Sequence, residues 1–337
     1  MKKLIFGLVI FTLVILFSCS DDNNNNSVVT TSSEEVVVIA NRAAGSISFI
    51  NANTDQVTNT LSIPNSEPMY IVYVAVKDRL YVGDRTGKKV HVINPKTKMV
   101  ETSINVGNGV FHMWASGLQL WVNNDIDNTI SVINLNTNTV MQTINIDLKP
   151  HDVFINSTGT KAYVSVFNTN STMPDKVYMY NTSNFTKTAE ANVGKDPHLY
   201  HLSSTNRLYV PCQSGEVFTL NGDNLNLISN NAFEGAHGIY AAPNQSTIFV
   251  TNISGAKLYS INAANSTLNG TAVNTLAATP HNIVVNDSGN KMFVTHSGAT
   301  ANKVTTYNVN GTTITAGITI TAGTNPFGLA YYKRVIN

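Results

Sequence analysis

The sequence predicts an all-β chain folded as a seven-bladed β-propeller with four antiparallel strands per blade. Three observations carry that expectation. A strand ending in Asn recurs seven times at a near-constant spacing, at Asn51, Asn94, Asn134, Asn181, Asn221, Asn262 and Asn308. A second strand of similar make-up precedes each copy. The first copy lacks an opening strand, whereas the chain ends on a spare one. Composition agrees. Of 337 residues 42% are hydrophobic, enough for a real core, and the polar residues are mostly Asn, Thr and Ser, which favour turns and strands over helix interiors. Charged residues make up only 12% with a formal net charge of +1, so no basic field exists to neutralise a phosphate backbone, and nucleic acid is excluded as a partner.

Residues 1–18 read as a processing signal. Lys2 and Lys3 precede an apolar run from Leu4 to Phe17, too short for a comfortable membrane span. Leu16-Phe17-Ser18-Cys19 resembles the lipobox of bacterial lipoproteins, with Phe17 bulkier than that pattern usually carries. The resemblance implies lipidation at Cys19, an outer-membrane location, and membrane contact through the lipid anchor only. Cys212 is then the remaining thiol, with no internal disulfide expected. Ser20-Asp21-Asp22 resembles the export signal of surface lipoproteins in the Bacteroidota, which implies exposure on the cell surface; a periplasm-facing anchor is the alternative. Residues 19–35, rich in Asn and Ser, read as a polar tether before a propeller spanning residues 36–337.

Within the propeller the terminal Asn residues are separated by steps of 43, 40, 47, 40, 41 and 46. The strands they close, such as Lys89-Val90-His91-Val92-Ile93-Asn94, alternate apolar and polar residues, and the Asn side chain can bond its own backbone to turn the chain. The preceding strands include Leu80-Tyr81-Val82-Gly83-Asp84 and Ile248-Phe249-Val250-Thr251-Asn252. A first strand, often opened by Pro, and a fourth, such as Val140 to Ile146, complete a unit of blade size. The terminal strand Asn325 to Tyr331 then supplies what the first copy lacks and leaves no sheet edge open. In these segments the chain resembles the YVTN (YncE-like) β-propeller family, where the turn residue is commonly Asp. The resemblance covers nearly everything after residue 35 and implies the fold far more than a function.

Propeller ligands usually occupy the axial mouth, so the start of each first strand is where chemistry is expected. Four successive blades open on His151, His198, His237 and His281, lying 13, 12, 13 and 13 residues before the Val that closes the second strand. The equivalent positions elsewhere are Met69, Phe111 and Phe327, and a shifted alignment would bring in His112. Two readings stand: a duplicated packing residue, or imidazoles converging on one ligand or metal. His296 follows the second strand in the His281 blade and joins the candidate metal ligands His151, His198, His237 and His281. Cys212 occupies the corresponding place in the His198 blade, His201 is expected on the opposite strand face, and His91 reads as structural. Asp125 to Asn128 reads as an ordinary hairpin turn rather than a calcium loop. No GxSxG elbow, Walker loop or dinucleotide fingerprint occurs, and no carboxylate pair of the glycosidase kind stands out.

The expected function is therefore capture of a small-molecule or cofactor ligand, or of a partner protein, at the channel mouth, with no catalytic residue assigned. Surface lipoproteins with YncE-like propellers include corrinoid-capturing partners of outer-membrane TonB-dependent transporters, and that resemblance implies a corrinoid and such a transporter here by analogy alone. The alternative is an enzyme using the histidine arc with a divalent metal. Its Pro-His openings resemble those of streptogramin B lyases, although the Glu of those enzymes has no clear counterpart. A copper- or haem-binding propeller is a third alternative.

Overall fold

The computed structural model describes residues 32–336. The leader, the lipidation candidate Cys19 and the tether up to residue 31 lie outside the described residues. Seven four-stranded antiparallel sheets make up the described chain. Six use consecutive strands; blade 1 is built in the order Pro326–Ile336, Ser32–Asn41, Ser46–Asn51, Gln56–Ser62, so the C-terminal strand is its innermost member. Among the described residues the sole helical element is the 3-10 turn Ala75–Lys77.

The middle strands of each blade are buried on both faces, because one blade stacks on the next. Gln119–Asn124 and Thr247–Asn252 show continuous burial rather than alternation. Seven apolar clusters result, one between each pair of neighbouring blades; Val38, Phe49, Leu80 and Val82, for example, knit blade 1 to blade 2. The outermost strands, such as Met99–Asn105, face solvent.

The turn-forming Asn works as its chemistry dictates. Asn51 Oδ1 accepts the N–H groups of Asn53 and Thr54 at 2.9 and 3.0 Å, and Asn94, Asn134, Asn181, Asn221 and Asn262 accept equivalent bonds. Asn308 departs from the repeat. It pairs with Thr315 inside a longer hairpin that turns instead at Gly311-Thr312, with Gly311 at φ 60°. Glycine at the first of two central positions takes the positive φ such a tight hairpin needs, and the turn moves there.

Blade 1 begins at Ser32, inside the stretch read as tether, because Ser32 to Glu35 pair with Ile336 to Lys333. Arg334 secures this closure: it donates to Asp78 Oδ1 and Oδ2 at 3.0 and 2.9 Å and to Glu34 Oε1 at 2.9 Å.

The innermost strands, which include Pro68–Val74, Val110–Ser116, Lys149–Ile155, Ala236–Ala241 and Pro280–Val285, share one irregularity. Their pairing slips by one residue just after the strand opens, at Pro68/Ile71, Val110/Met113, Pro150/Val153, Ala236/Ile239 and Pro280/Ile283. Blade 1 slips at the same place, opposite Ile39/Asn41. The extra residue leaves a backbone N–H unpaired, and in blades 4, 6 and 7 a second-strand hydroxyl takes it: Asp152 N to Ser165 Oγ, Gly238 N to Thr251 Oγ1 and Asn282 N to Thr295 Oγ1, at 2.9, 2.8 and 3.1 Å. Each hydroxyl then donates to the next blade, Ser165 to the Pro197 carbonyl at 2.7 Å and Thr295 to the Phe327 carbonyl at 2.8 Å. Blade 5 carries Pro211 at this position and keeps its register.

Candidate functional site

This bulge builds the channel mouth. A regular strand sends neighbouring residues to opposite faces, but in the six bulged blades two consecutive positions meet the axis. One tier contains Met69, Phe111, His151, His198, His237, His281 and Phe327, the seven positions equated from sequence. The next residues form a deeper tier in the bulged blades: Tyr70, His112, Asp152 and Asn282, with Gly238 and Gly328 where the next blade comes too close; unbulged blade 5 supplies only His198. A Cβ on Gly238 would lie 1.9 Å from the His281 carbonyl, and one on Gly328 2.3 Å from that of Met69. No shifted alignment is needed to bring His112 in.

His151, His198, His237, His281 and Phe111 line an open basin of about 430 Å³. Tyr70, His112, Asp152, His198 and Asn282 border a second, smaller cavity of about 80 Å³ that shares Tyr70 and His198 with the basin. Tyr70 and His198 therefore stand between the two spaces. Phe327 packs against His281 with tilted rings, centroids 4.1 Å apart, whereas Met69 is fully buried among apolar residues and borders neither space.

The imidazoles are in contact. His151 Nε2 lies 3.3 Å from His198 Nε2, which lies 3.0 Å from His237 Nε2. The His237 and His281 rings are 4.6 Å apart. Asp196 Oδ1 sits 3.1 Å from His151 Nε2 and 3.9 Å from His198 Nε2, and its Oδ2 is 3.9 Å from His237 Nε2. A left-handed backbone at Asp196, φ 54°, curls the opening loop there; Asp tolerates that conformation better than most residues. Asp152 reaches beneath the layer: it accepts from His112 Nδ1 at 2.7 Å, Val153 N at 2.7 Å and Leu199 N at 2.8 Å, with His198 Nδ1 3.6 Å away. His112 Nε2 and His237 Nδ1 are buried without a partner.

Burial governs the charges. It drives His112 down to about 3, aided by neighbouring His151 and His198 and resisted by Asp152. It also holds His237 and His281 well below the ordinary imidazole value, with His198 adding to the effect on both. Burial alone would raise the Asp152 and Asp196 carboxyls, but the surrounding imidazoles hold both below the usual carboxylate range. His112, His237 and His281 are therefore neutral near neutral pH, and two carboxylates stand beside the layer. The donor sets open to a metal ion are His112, His151 and His198, and Asp196, His198 and His237; within each, one ligand atom per residue lies within 4.8 Å of the others.

Around the basin stand Arg42, Arg85 and Lys149, over the rings of Phe327, Phe111 and Phe167 at 5.2, 5.6 and 5.9 Å. Asp125 holds Arg85 at 2.9 Å and Lys149 at 3.3 Å, and Glu67 holds Arg42 at 2.6 Å. Asp125 is thus a rim residue as well as a turn residue.

The remaining candidates lie apart. His296 bonds the Ala278 carbonyl through Nδ1 and the Thr305 hydroxyl through Nε2, both at 2.7 Å, so neither nitrogen faces the cluster. Cys212 is buried, and burial pushes its thiol up. His201 stacks on Tyr163, and His91 joins Asp84 to Ser103. Sequence reasoning missed Asp152, Asp196, Asn282 and the rim cations. The available signal was proximity, in His151-Asp152 and Asp196-Pro197-His198, but a regular strand sends the residue after an axial His to the opposite face.

No protein-family model matches the chain, and no curated protein matches it by sequence. Solved structures do match in shape. A Bacteroides fragilis protein described as a candidate 6-phosphogluconolactonase aligns with a TM-score of 0.71 at 15% identity, covering 89% of this chain and 98% of that one. A Desulfotomaculum acetoxidans protein of unknown function gives 0.73 at 12% identity, covering 88% and 98%. Kuenenia stuttgartiensis hydrazine synthase gives 0.68 at 13% identity, covering 83% and 98%. Likeness at this identity establishes the propeller fold alone.

Proposed function

We propose that this protein captures a small molecule in the basin at its axial mouth. The carrying observation is the basin itself: about 430 Å³, floored by four imidazoles, walled by Phe111 and Phe167 and rimmed by Arg42, Arg85 and Lys149. That volume suits a small ligand rather than a chain. Aromatic walls favour a flat, partly apolar body, while the guanidinium and imidazole N–H groups favour one that carries acceptor oxygens. The leader supports a wider reading in which Cys19 anchors the propeller at the outer-membrane surface. Corrinoid delivery to a TonB-dependent transporter is the narrowest form of that reading and rests on family resemblance alone.

A lactone hydrolase is the second reading. It is favoured by the imidazole–carboxylate pair His151–Asp196 on the basin floor, a general-base arrangement 3.1 Å across, and by the description of the Bacteroides neighbour. Ligand-observed NMR against aromatic carboxylates, sugar lactones and cyanocobalamin separates the readings. Capture predicts a bound, unconverted compound that Phe111→Ala and Arg85→Ala each release at least tenfold more readily. Lactone turnover lost in His151→Asn would support the enzyme. Affinities unchanged in both wall variants would place capture elsewhere.

A further inference from the structure

We propose that His112, His151 and His198 bind one divalent transition-metal ion, with the Asp196 carboxylate completing the set from the basin side. This goes beyond ligand capture, because the ion would sit within the imidazole layer itself. The geometry carries the proposal. One nitrogen from each imidazole lies within 4.8 Å of the other two, and all three residues are buried. A tetrahedral ion with metal–nitrogen bonds of about 2.0–2.1 Å requires donors roughly 3.3–3.4 Å apart. His151 and His198 Nε2 stand 3.3 Å apart, and Asp196 Oδ1 lies 3.1 and 3.9 Å from them.

The tautomers choose between the two donor groups. Asp152 accepts the Nδ1 proton of His112, which leaves Nε2 as a lone pair that is buried and unpartnered. Two backbone N–H groups fix the Asp152 carboxylate in turn. A carboxylate behind an imidazole is the usual second partner of a metal-binding histidine. His237, in the other group, has its Nδ1 buried with no acceptor, so nothing presents its Nε2 lone pair. Imidazole and carboxylate donors without thiolate suit zinc, cobalt, nickel or copper(II) rather than calcium or magnesium.

The test uses untagged, chelator-stripped protein titrated with Zn(II) by calorimetry, and with Co(II) read by its visible spectrum. One equivalent should bind, with Co(II) giving intense tetrahedral bands. His112→Asn should abolish binding while leaving basin ligands bound, since His112 does not line the basin. Asp152→Asn should weaken Zn(II) binding about 10- to 100-fold. His281→Asn should retain one equivalent. Should His112→Asn fail to melt cooperatively, Asp152→Asn and the Co(II) spectrum of the unaltered protein decide. The proposal is overturned by no stoichiometric Zn(II) binding, by an aqua-like Co(II) spectrum, by Zn(II) affinity unaffected by Asp152→Asn, or by full binding in His112→Asn with loss in His237→Asn.

Discussion

Asn41, Asn124 and Asn252 close the second strands of blades 1, 3 and 6, and each donates to a hydroxyl on the third strand: Ser48 at 2.8 Å, Ser131 at 2.9 Å and Tyr259 at 2.9 Å. Blade 7 puts His296 in that place and Thr305 across from it. Its identity drew it toward the metal candidates, but its place in the repeat is a bracing one. Burial lowers its pKa, so the folded state keeps it neutral where the unfolded chain takes up a proton near pH 6.5. A depressed folded value means this stability is present above about pH 6.5 and is lost as pH falls below it, by up to about 1.4 kcal/mol per unit. His296→Asn should therefore fold and show a flatter stability profile between pH 7 and 5 in urea titrations. An unchanged slope would contradict the bracing role, since Asn does not titrate.

At the scale of the strand, the repeat made most elements legible. Seven Asn-terminated strands and their partners could be placed because burial between blades demands the same β-branched and aromatic residues each time. The bulge could not be placed, because it is a property of pairing rather than of any one strand. Its trace is the hydroxyl at Ser165, Thr251 and Thr295, which reads as ordinary strand composition. That one hidden slip carried His112 and Asp152 to the axis. Thr251→Val tests the device: it leaves the Gly238 N–H and the His281 carbonyl without their hydroxyl partner. The expected loss is about 1–3 kcal/mol by denaturant titration. A change below about 0.5 kcal/mol would mean that the bulge needs no such support.

For the whole molecule, closure of the ring depends on Pro326–Ile336, and Arg334 is its clasp. Hydrogen bonds from Arg334 hold Asp78 below the ordinary carboxylate range, with burial opposing them. Stability from this pair is full above about pH 4 and lost as pH falls through the folded value. Arg334→Met should lower the melting temperature at pH 7 and converge on the parent protein at low pH. Equal melting at pH 7 would show the apolar strand contacts to be sufficient. Closure was readable in advance because a spare strand and a missing one must meet. The rim was not, because Arg42 and Arg85 sit in turns and Lys149 opens a strand, and their meeting depends on the ring being closed.

The central claim is that this molecule's chemistry is gathered at one axial mouth. The eight histidines test it together, four lining the mouth, His112 in the adjoining cavity, and His91, His201 and His296 elsewhere. Ring resonances of ¹⁵N-histidine-labelled protein would be followed by NMR as a compound that binds the protein is added. The account predicts shifts at His151, His198, His237 and His281, with His91, His201 and His296 unmoved. Shifts confined to those three, or none at the mouth under saturating ligand, would contradict it.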